Sequence, residues 1–129
     1  MAKLQHYADI VAKYLPDGWK LKIVRRIVTP EKDNPDGLCC FTTKTIYSKP
    51  IRSIGQLQVF LHEVAHVELH SGRDKEPVIE EYEAEMWSFA ALVNEGIPVT
   101  EAMLSDAKAN IRTRLAEHDM WDAMKWALS

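Results

Sequence analysis

Two histidines and a glutamate between positions 62 and 66 have the types and the spacing of a zinc site. The stretch His62-Glu63-Val64-Ala65-His66 follows the pattern HExxH, and residues four apart share one face of a helix, so both imidazoles can reach one Zn²⁺ ion. Glu63 lies about 100° further around the helix, close enough to act as a general base on water at the metal without binding the metal. Apolar residues interleave with the histidines, which argues against a merely solvated polar face. We predict His62 and His66 as zinc ligands and Glu63 as the catalytic residue.

A catalytic zinc site needs a third protein ligand and an open coordination position. The candidates lie in the acidic segment 80–85, where helical spacing creates two faces. The first is a broad apolar face, with Glu83 at its edge, made by Ile79, Tyr82, Met86, Phe89, Ala90 and Val93. The second is a narrow stripe, flanked by the small Ala84 and Ala91, made by Glu81, Glu85, Ser88 and Leu92.

The choice of third ligand depends on which of these faces meets the HExxH helix. Glu83 is favoured if the broad face does, and Glu81 if the narrow stripe does. A stripe with two carboxylates suits a zinc site, because one Glu can bind the metal while the next accepts a hydrogen bond from the second N–H of a ligating His. We predict Glu81 as the third ligand, with Glu83 and Glu85 as the alternatives. A solvated Glu remains common on so acidic a helix.

A third histidine, His70, extends the row to HExxHxxxH. Eight residues of helix span roughly 12 Å, which is too far for His62 and His70 to bind one ion. A donor or a positive charge is favourable at the C-terminus of a helix. We therefore predict that His70 caps this helix or lies at the rim of the site.

The elements that must position these residues follow from periodicity and capping signals. Strands are predicted over Trp19–Val28 and over Leu38–Ser48, the latter as one strand or as a tight pair. Three helices are predicted over Ala2–Leu15, from an N-cap at Ser53 to Leu69, and over Val78–Asn94. A fourth is predicted from an N-cap at Thr100 to about His118. A short last helix is predicted to start at Asp119 and to hold Trp121, Met124 and Leu128. A helix followed by strands and then by helices predicts an α+β fold with a small antiparallel sheet.

Length and composition describe an ordinary globular chain. Its 129 residues, with 47% hydrophobic and 27% charged residues, predict one domain over residues 1–129. A net charge of −3 makes nucleic acid an unlikely partner, and no apolar run reaches the roughly 18 residues of a membrane span. The adjacent Cys39 and Cys40, the only cysteines, cannot build a disulfide framework or a zinc site. Free thiols and the lack of a secretory signal lead us to expect a cytoplasmic protein.

The chain resembles the ImmA/IrrE-type zinc metallopeptidases over roughly residues 37–97. In that family a β-rich stretch leads into an HExxH helix, and a helix of the form E-x-E-A-x-x-F-A follows. Residues 60–66 (FLHEVAH) match the first motif, and residues 81–88 (EYEAEMWS) are similar to the second, with Trp87 and Ser88 as departures. The second helix also resembles the E-x-x-A-E segment of ArdC-type antirestriction peptidases. In such zincins the first Glu is the usual ligand, which here is Glu81.

The resemblance implies a minimal zincin-like endopeptidase with Zn²⁺ as its cofactor. Members of the family commonly cleave a repressor in phage or mobile-element control, so a regulatory protein is the implied substrate, and a strand of the 38–48 region is expected to capture it. The fused helix-turn-helix domain of many relatives has no counterpart here, and the tail 99–129 matches no motif. Two alternatives stay open: a zinc-stabilised module that sequesters a regulator or host factor without cutting it, and an antirestriction protein.

Overall fold

The computed structural model describes residues 2–29, 34–71, 77–115 and 125–129. Helices and strands in these ranges follow in the order α1 (Ala2–Tyr14), β1 (Lys20–Ile23), β2 (Gly37–Cys40), β3 (Thr45–Ser48), α2 (Ile54–His70), α3 (Pro77–Asn94) and α4 (Glu101–Leu115). The predicted α+β class is confirmed. The predicted end of the fourth helix near His118 and the start of a last helix at Asp119 lie outside the described residues.

The sheet is mixed, so the prediction of an antiparallel sheet was wrong. Its strand order is β1-β3-β2, and the central strand β3 pairs parallel with β1 and antiparallel with β2. After β1, the chain crosses to the opposite edge of the sheet and forms β2. A tight turn that contains Lys44, at φ 51°, then reverses the direction of the chain and leads into β3. β3 therefore returns in the direction of β1 and lies between the two earlier strands. Alternation along a strand indicates which side is buried but not the direction of the neighbouring strand.

The first strand is shorter than the predicted Trp19–Val28, because its partner ends early. The amide of Val24, the residue after β1, donates to the carbonyl of Ser48 at 2.8 Å, and Ser48 is the last residue of β3. Pro50 follows, and proline has no N–H with which to continue a ladder. The Leu38–Ser48 region is a tight pair of strands, one of the two alternatives predicted for it.

Helix α2 packs against the inner face of the sheet and carries the HExxH residues. Its start is fixed by Ser53, whose hydroxyl oxygen accepts a hydrogen bond from the amide of Gln56 at 3.1 Å. Ile46, at the centre of the sheet, is fully buried in the core between sheet and helix. The buried side chains of α2 in this core are Leu57, Phe60, Leu61, Val64 and Val67.

The two cysteines of β2 are free thiols, as predicted, and they have different surroundings. Cys39 packs against the core beneath the sheet. Cys40 lines a cleft of about 400 Å³ on the outer side, next to Leu38 and Tyr47. Successive side chains of a strand point to opposite faces, which explains this division.

Helix α3 turns its narrow stripe toward α2. The buried residues of the stripe and its flanks are Ala84, Glu85, Ser88, Ala91 and Leu92. On the broad apolar face, by contrast, Ala90 is exposed and Val93 is 65% exposed. The small alanines allow the two helices to approach closely, so the carboxylates of α3 meet the histidines of α2. In the described parts of the chain, no helix is both long and apolar enough to cross a membrane.

Candidate metal centre

Two imidazoles of α2 converge at one point. His62 and His66 lie one helical turn apart, and their Nε2 atoms are separated by 3.1 Å. Both residues are nearly buried, each 9% exposed. Helix geometry alone brings the two rings to one face of α2. Helix α3 packs beside this face and covers it.

Glu81 of α3 completes the cluster. One carboxylate oxygen, Oε2, lies 3.1 Å from Nε2 of His62, and the other, Oε1, lies 3.1 Å from Nε2 of His66. The three residues offer one ligand atom each, and these atoms all lie within 4.8 Å of one another. Two imidazole nitrogens and one carboxylate are a donor set found in catalytic zinc sites that keep a fourth position open.

The remaining nitrogen of His62 has a carboxylate of its own. Nδ1 of His62 forms a short hydrogen bond with Oε1 of Glu85, one turn after Glu81. Glu85 is held in turn by Gln58, whose amide nitrogen donates to the same oxygen at 3.1 Å and to the hydroxyl of Ser88 at 2.8 Å. This is the arrangement expected from a stripe with two carboxylates: one lies at the candidate metal position and the next accepts from a ligating His.

The remaining nitrogen of His66 contacts a third histidine instead. Nδ1 of His66 lies 3.1 Å from Nδ1 of His70, and Nε2 of His70 lies 3.0 Å from Oε1 of Glu83. His70 is only 2% exposed. The prediction that His70 caps the helix or lies at the rim was therefore wrong: its ring is buried and both of its nitrogens have partners.

The three candidate carboxylates of α3 thus have three different positions. Glu81 lies beside both Nε2 atoms, Glu85 beside the opposite nitrogen of His62, and Glu83 beside His70. Among the described residues, neither Glu83 nor Glu85 belongs to the cluster that can hold a metal ion. The ligand role of Glu81 stays a prediction, and the geometry favours it over the two alternatives.

The sequence contained a signal for the residues that were missed. Gln58, His62, His66 and His70 are spaced by four on a helix whose other side is apolar. Such a row of polar residues needs polar partners when it is buried. Polar residues of α3 form the complementary row: Gln58 contacts Ser88, and His70 contacts Glu83 in addition to His66 of its own helix.

Glu63 lies on the side of α2 that faces β2. A Cβ atom added to Gly37, at the start of β2, would come within 3.2 Å of Cγ and 3.5 Å of Oε2 of Glu63. Only a glycine lets the strand approach the helix this closely. The carboxylate of Glu63 therefore lies close to the start of β2, and its negative charge helps to raise the pKa of the neighbouring His62.

The cluster is electrostatically coupled in the metal-free protein. Burial alone would lower the pKa of His62, but hydrogen bonds with the carboxylates of Glu81 and Glu85 outweigh burial and raise this pKa to about 10. Burial would likewise raise the pKa of Glu81, but hydrogen bonds with His62 and His66 outweigh it and hold this pKa far below its usual value. A positive charge is thus strongly favoured at the centre of the cluster.

The donor chemistry fits a bound cation. Since Nδ1 of His62 donates to Glu85, a neutral His62 directs the lone pair of Nε2 at the carboxylate of Glu81 and at the second imidazole. Lone pairs that face one another repel unless a proton or a metal ion lies between them. The raised pKa of His62 means that a proton can lie between these lone pairs. Two imidazoles and a carboxylate are also a donor set that binds Zn²⁺ and other first-row transition metals.

Comparisons with protein-family models, with curated proteins and with solved structures find no match for this chain. A function must therefore be inferred from the residues of the cluster and from the elements around them. The two observations that carry that inference are the convergence of His62, His66 and Glu81 and the approach of β2 to Glu63.

Proposed function

We propose that this chain is a minimal zincin-like, zinc-dependent peptidase. The observation that carries the proposal is the convergence of His62, His66 and Glu81, whose ligand atoms lie within 4.8 Å of one another. Glu63, the neighbour of His62, supplies the general base that hydrolysis needs. A purely structural metal site gives no reason for a carboxylate at this position.

The chemistry divides between the ion and the chain. A zinc ion, when bound, polarises the scissile carbonyl and makes a nearby water acidic. Glu63 would accept a proton from the water as the water oxygen bonds to the carbonyl carbon, and would deliver that proton to the amine nitrogen as the C–N bond breaks. Glu85 keeps the proton of His62 on Nδ1, so that Nε2 remains free to bind the metal.

The edge of the sheet provides a place for an extended peptide. In the described parts of the chain, β2 is the last strand in the order β1-β3-β2, so one of its sides faces away from β3. A peptide that adds to this edge forms backbone hydrogen bonds with β2. Because Gly37 packs against Glu63, such a peptide passes the general base.

The substrate we propose is a regulatory protein, such as the repressor of a phage or a mobile element. The support for this choice is the resemblance of the two motifs to the ImmA/IrrE-type peptidases. An extended segment of such a protein is the kind of ligand that adds to the edge strand of a sheet. A cytoplasmic location agrees with a regulatory substrate and stays a prediction.

The test compares the zinc-loaded protein with its Glu63→Gln variant on a peptide library, with new N-termini identified by mass spectrometry. We expect cleavage by the wild type, and a loss of at least about a hundredfold in the variant, because general-base catalysis contributes roughly 10²–10⁴-fold. The variant should retain its zinc, since Glu63 is not a ligand. Glu68→Gln, an exposed change on the same helix, is the matched control and should cleave normally. Equal cleavage by the Glu63→Gln variant would refute the mechanism.

A non-catalytic, zinc-stabilised binding module is the second candidate. The observation in its favour is the burial of the two histidines, each 9% exposed, which resembles a closed structural site. It predicts that the wild type binds zinc and yields no new N-termini at any protein load. It also predicts that a partner protein captured by the wild type stays intact.

A further inference from the structure

His70 is a buried histidine that the proposed mechanism does not use. It is 2% exposed, and its ring lies 5.2 Å from the ring of His66, between centroids. An imidazole removed from water needs hydrogen-bond partners for both nitrogens to offset desolvation. His70 has two: Nδ1 of His66 at 3.1 Å and Oε1 of Glu83 at 3.0 Å.

In the metal-binding state, these contacts accommodate one proton on each ring. Nε2 of His66 faces Glu81 and must be unprotonated to bind a metal, so the proton of His66 is on Nδ1. Nδ1 of His66 then donates to Nδ1 of His70, which accepts. His70 in turn carries its own proton on Nε2 and donates it to the carboxylate of Glu83. Every donor in this chain has one acceptor.

We propose that His70, backed by Glu83, is a positioning residue that fixes the tautomer and the orientation of His66 for zinc binding. The inference rests on the proposed zinc site at His62, His66 and Glu81. The two histidine ligands are then supported differently: His62 contacts a carboxylate directly through Glu85, whereas His66 reaches its carboxylate through a second imidazole.

The contact explains the spacing of the row on α2. Residues four apart on a helix have neighbouring side chains, so position 70 can place a ring beside the outer nitrogen of His66. The carboxylate of Glu83 lies at the end of the chain of contacts, and its side chain is 33% exposed. This carboxylate therefore depends less on a donor from the protein than the buried nitrogen of His66 depends on an acceptor.

The test uses a pair of variants with nearly identical shape. His70→Asn keeps an acceptor oxygen near the place of Nδ1, while His70→Leu fills a similar volume without one. Zinc affinity is measured by competition with a chelating dye. We expect His70→Leu to bind zinc about 10- to 100-fold more weakly, the usual cost of losing such an outer contact, and His70→Asn to stay within a few-fold of the wild type. His6→Leu, on an exposed position of α1, should leave the affinity unchanged.

A second readout distinguishes positioning from general packing. In the cobalt-substituted protein, His70→Leu should change the visible absorption bands, because the ring of His66 is no longer held, whereas His70→Asn should preserve them. If His70→Leu does not fold, Glu83→Ala against Glu83→Gln gives the same comparison at a partly exposed site. There the Ala variant should lose zinc affinity and the Gln variant, which retains an acceptor oxygen, should lose less.

The outcomes separate this inference from the proposed zinc site. If the wild type and both variants at position 70 bind zinc equally, with unchanged cobalt spectra, the positioning role is refuted and the zinc site stands. Equal losses in the Asn and Leu variants also refute it, because they indicate a packing role. If the wild type itself does not bind zinc, the site fails and the inference fails with it.

Discussion

The cluster between α2 and α3 places an imidazole pair and a carboxylate where one positive charge is required. In the metal-free protein the pKa of His62 is raised to about 10, because hydrogen bonds with Glu81 and Glu85 outweigh the effect of burial. The same site can hold a proton or a metal ion, and the two compete for Nε2. Metal binding to such a site is therefore coupled to proton release.

This coupling predicts how the stability of the metal-free protein depends on pH. The folded state keeps the proton of His62 up to about pH 10, whereas the unfolded chain loses it near 6.5. The stabilisation is therefore complete below pH 6.5 and is lost as the pH rises toward 10. Urea unfolding of chelator-treated protein should show the decrease, and His62→Gln should reduce it. A free energy of unfolding that stays constant or rises over this range contradicts the assignment.

Part of the cluster is readable from the sequence at the level of residues. HExxH defines His62, Glu63 and His66 by local spacing, and the stripe of α3 favours Glu81. His70 was misplaced at the rim, because spacing shows that it cannot share an ion with His62 but not that it contacts His66. That contact depends on how deeply the end of α2 is buried, which is a property of the tertiary packing.

Capping and composition account for the elements that hold the site. Ser53 and Thr100 each accept a hydrogen bond from an amide three residues later, as their positions as N-caps predict. The strands were predicted less well: β1 is shorter than expected and runs parallel to β3. Helix boundaries are set by nearby residues, whereas the partner and the direction of a strand depend on segments far away in the chain.

Because β2 lies so close to α2, we can predict the effect of adding one methyl group at position 37. A Cβ at position 37 would lie 2.7 Å from Cγ1 of Val59 and 3.2 Å from Cγ of Glu63, and the branched Val59 has little freedom to move in a helix. Gly37→Ala should therefore destabilise the protein by about 1–3 kcal/mol. It should also reduce cleavage by displacing Glu63. Thermal unfolding and peptide cleavage of the variant measure both effects.

Gly55→Ala is the matched control for this substitution. Its added Cβ would meet only the hydroxyl of Ser53, at 3.9 Å, and alanine in a helix is favoured over glycine by about 0.5–1 kcal/mol. The control should be as stable as the wild type or more so. Equal stabilities of the two variants would contradict the close approach of strand and helix.

At the scale of the whole molecule, the cluster lies between α2 and α3, while the sheet packs against another side of α2. Contacts outside the cluster fasten the surrounding elements. Glu95, just after α3, accepts hydrogen bonds from Lys13 at 2.7 Å and from the hydroxyl of Tyr14 at 2.9 Å, which joins the end of α1 to the end of α3. Arg112 of α4 donates to the carbonyl of Ala127 at 2.7 Å.

The arrangement of the whole molecule was predictable only in outline. The α+β class follows from the order of helices and strands, and the narrow stripe of α3 indicated the face that meets α2. The interleaving of β3 between β1 and β2 did not follow, because a crossover leaves no local pattern in the sequence. The error in the predicted sheet does not affect the site, because the site depends on the packing of α2 against α3 and on the position of β2.

The most direct test of the account is the zinc content of purified protein after saturation with zinc and removal of the excess. We predict about one zinc ion per chain, as for a His₂Glu site, and a marked loss in Glu81→Ala. Glu83→Ala and Glu85→Ala should each lose less zinc than Glu81→Ala, because these carboxylates contact His70 and Nδ1 of His62 rather than the nitrogens proposed to bind the metal. A wild type without zinc, or a larger loss in either of these two variants than in Glu81→Ala, would contradict the site described above.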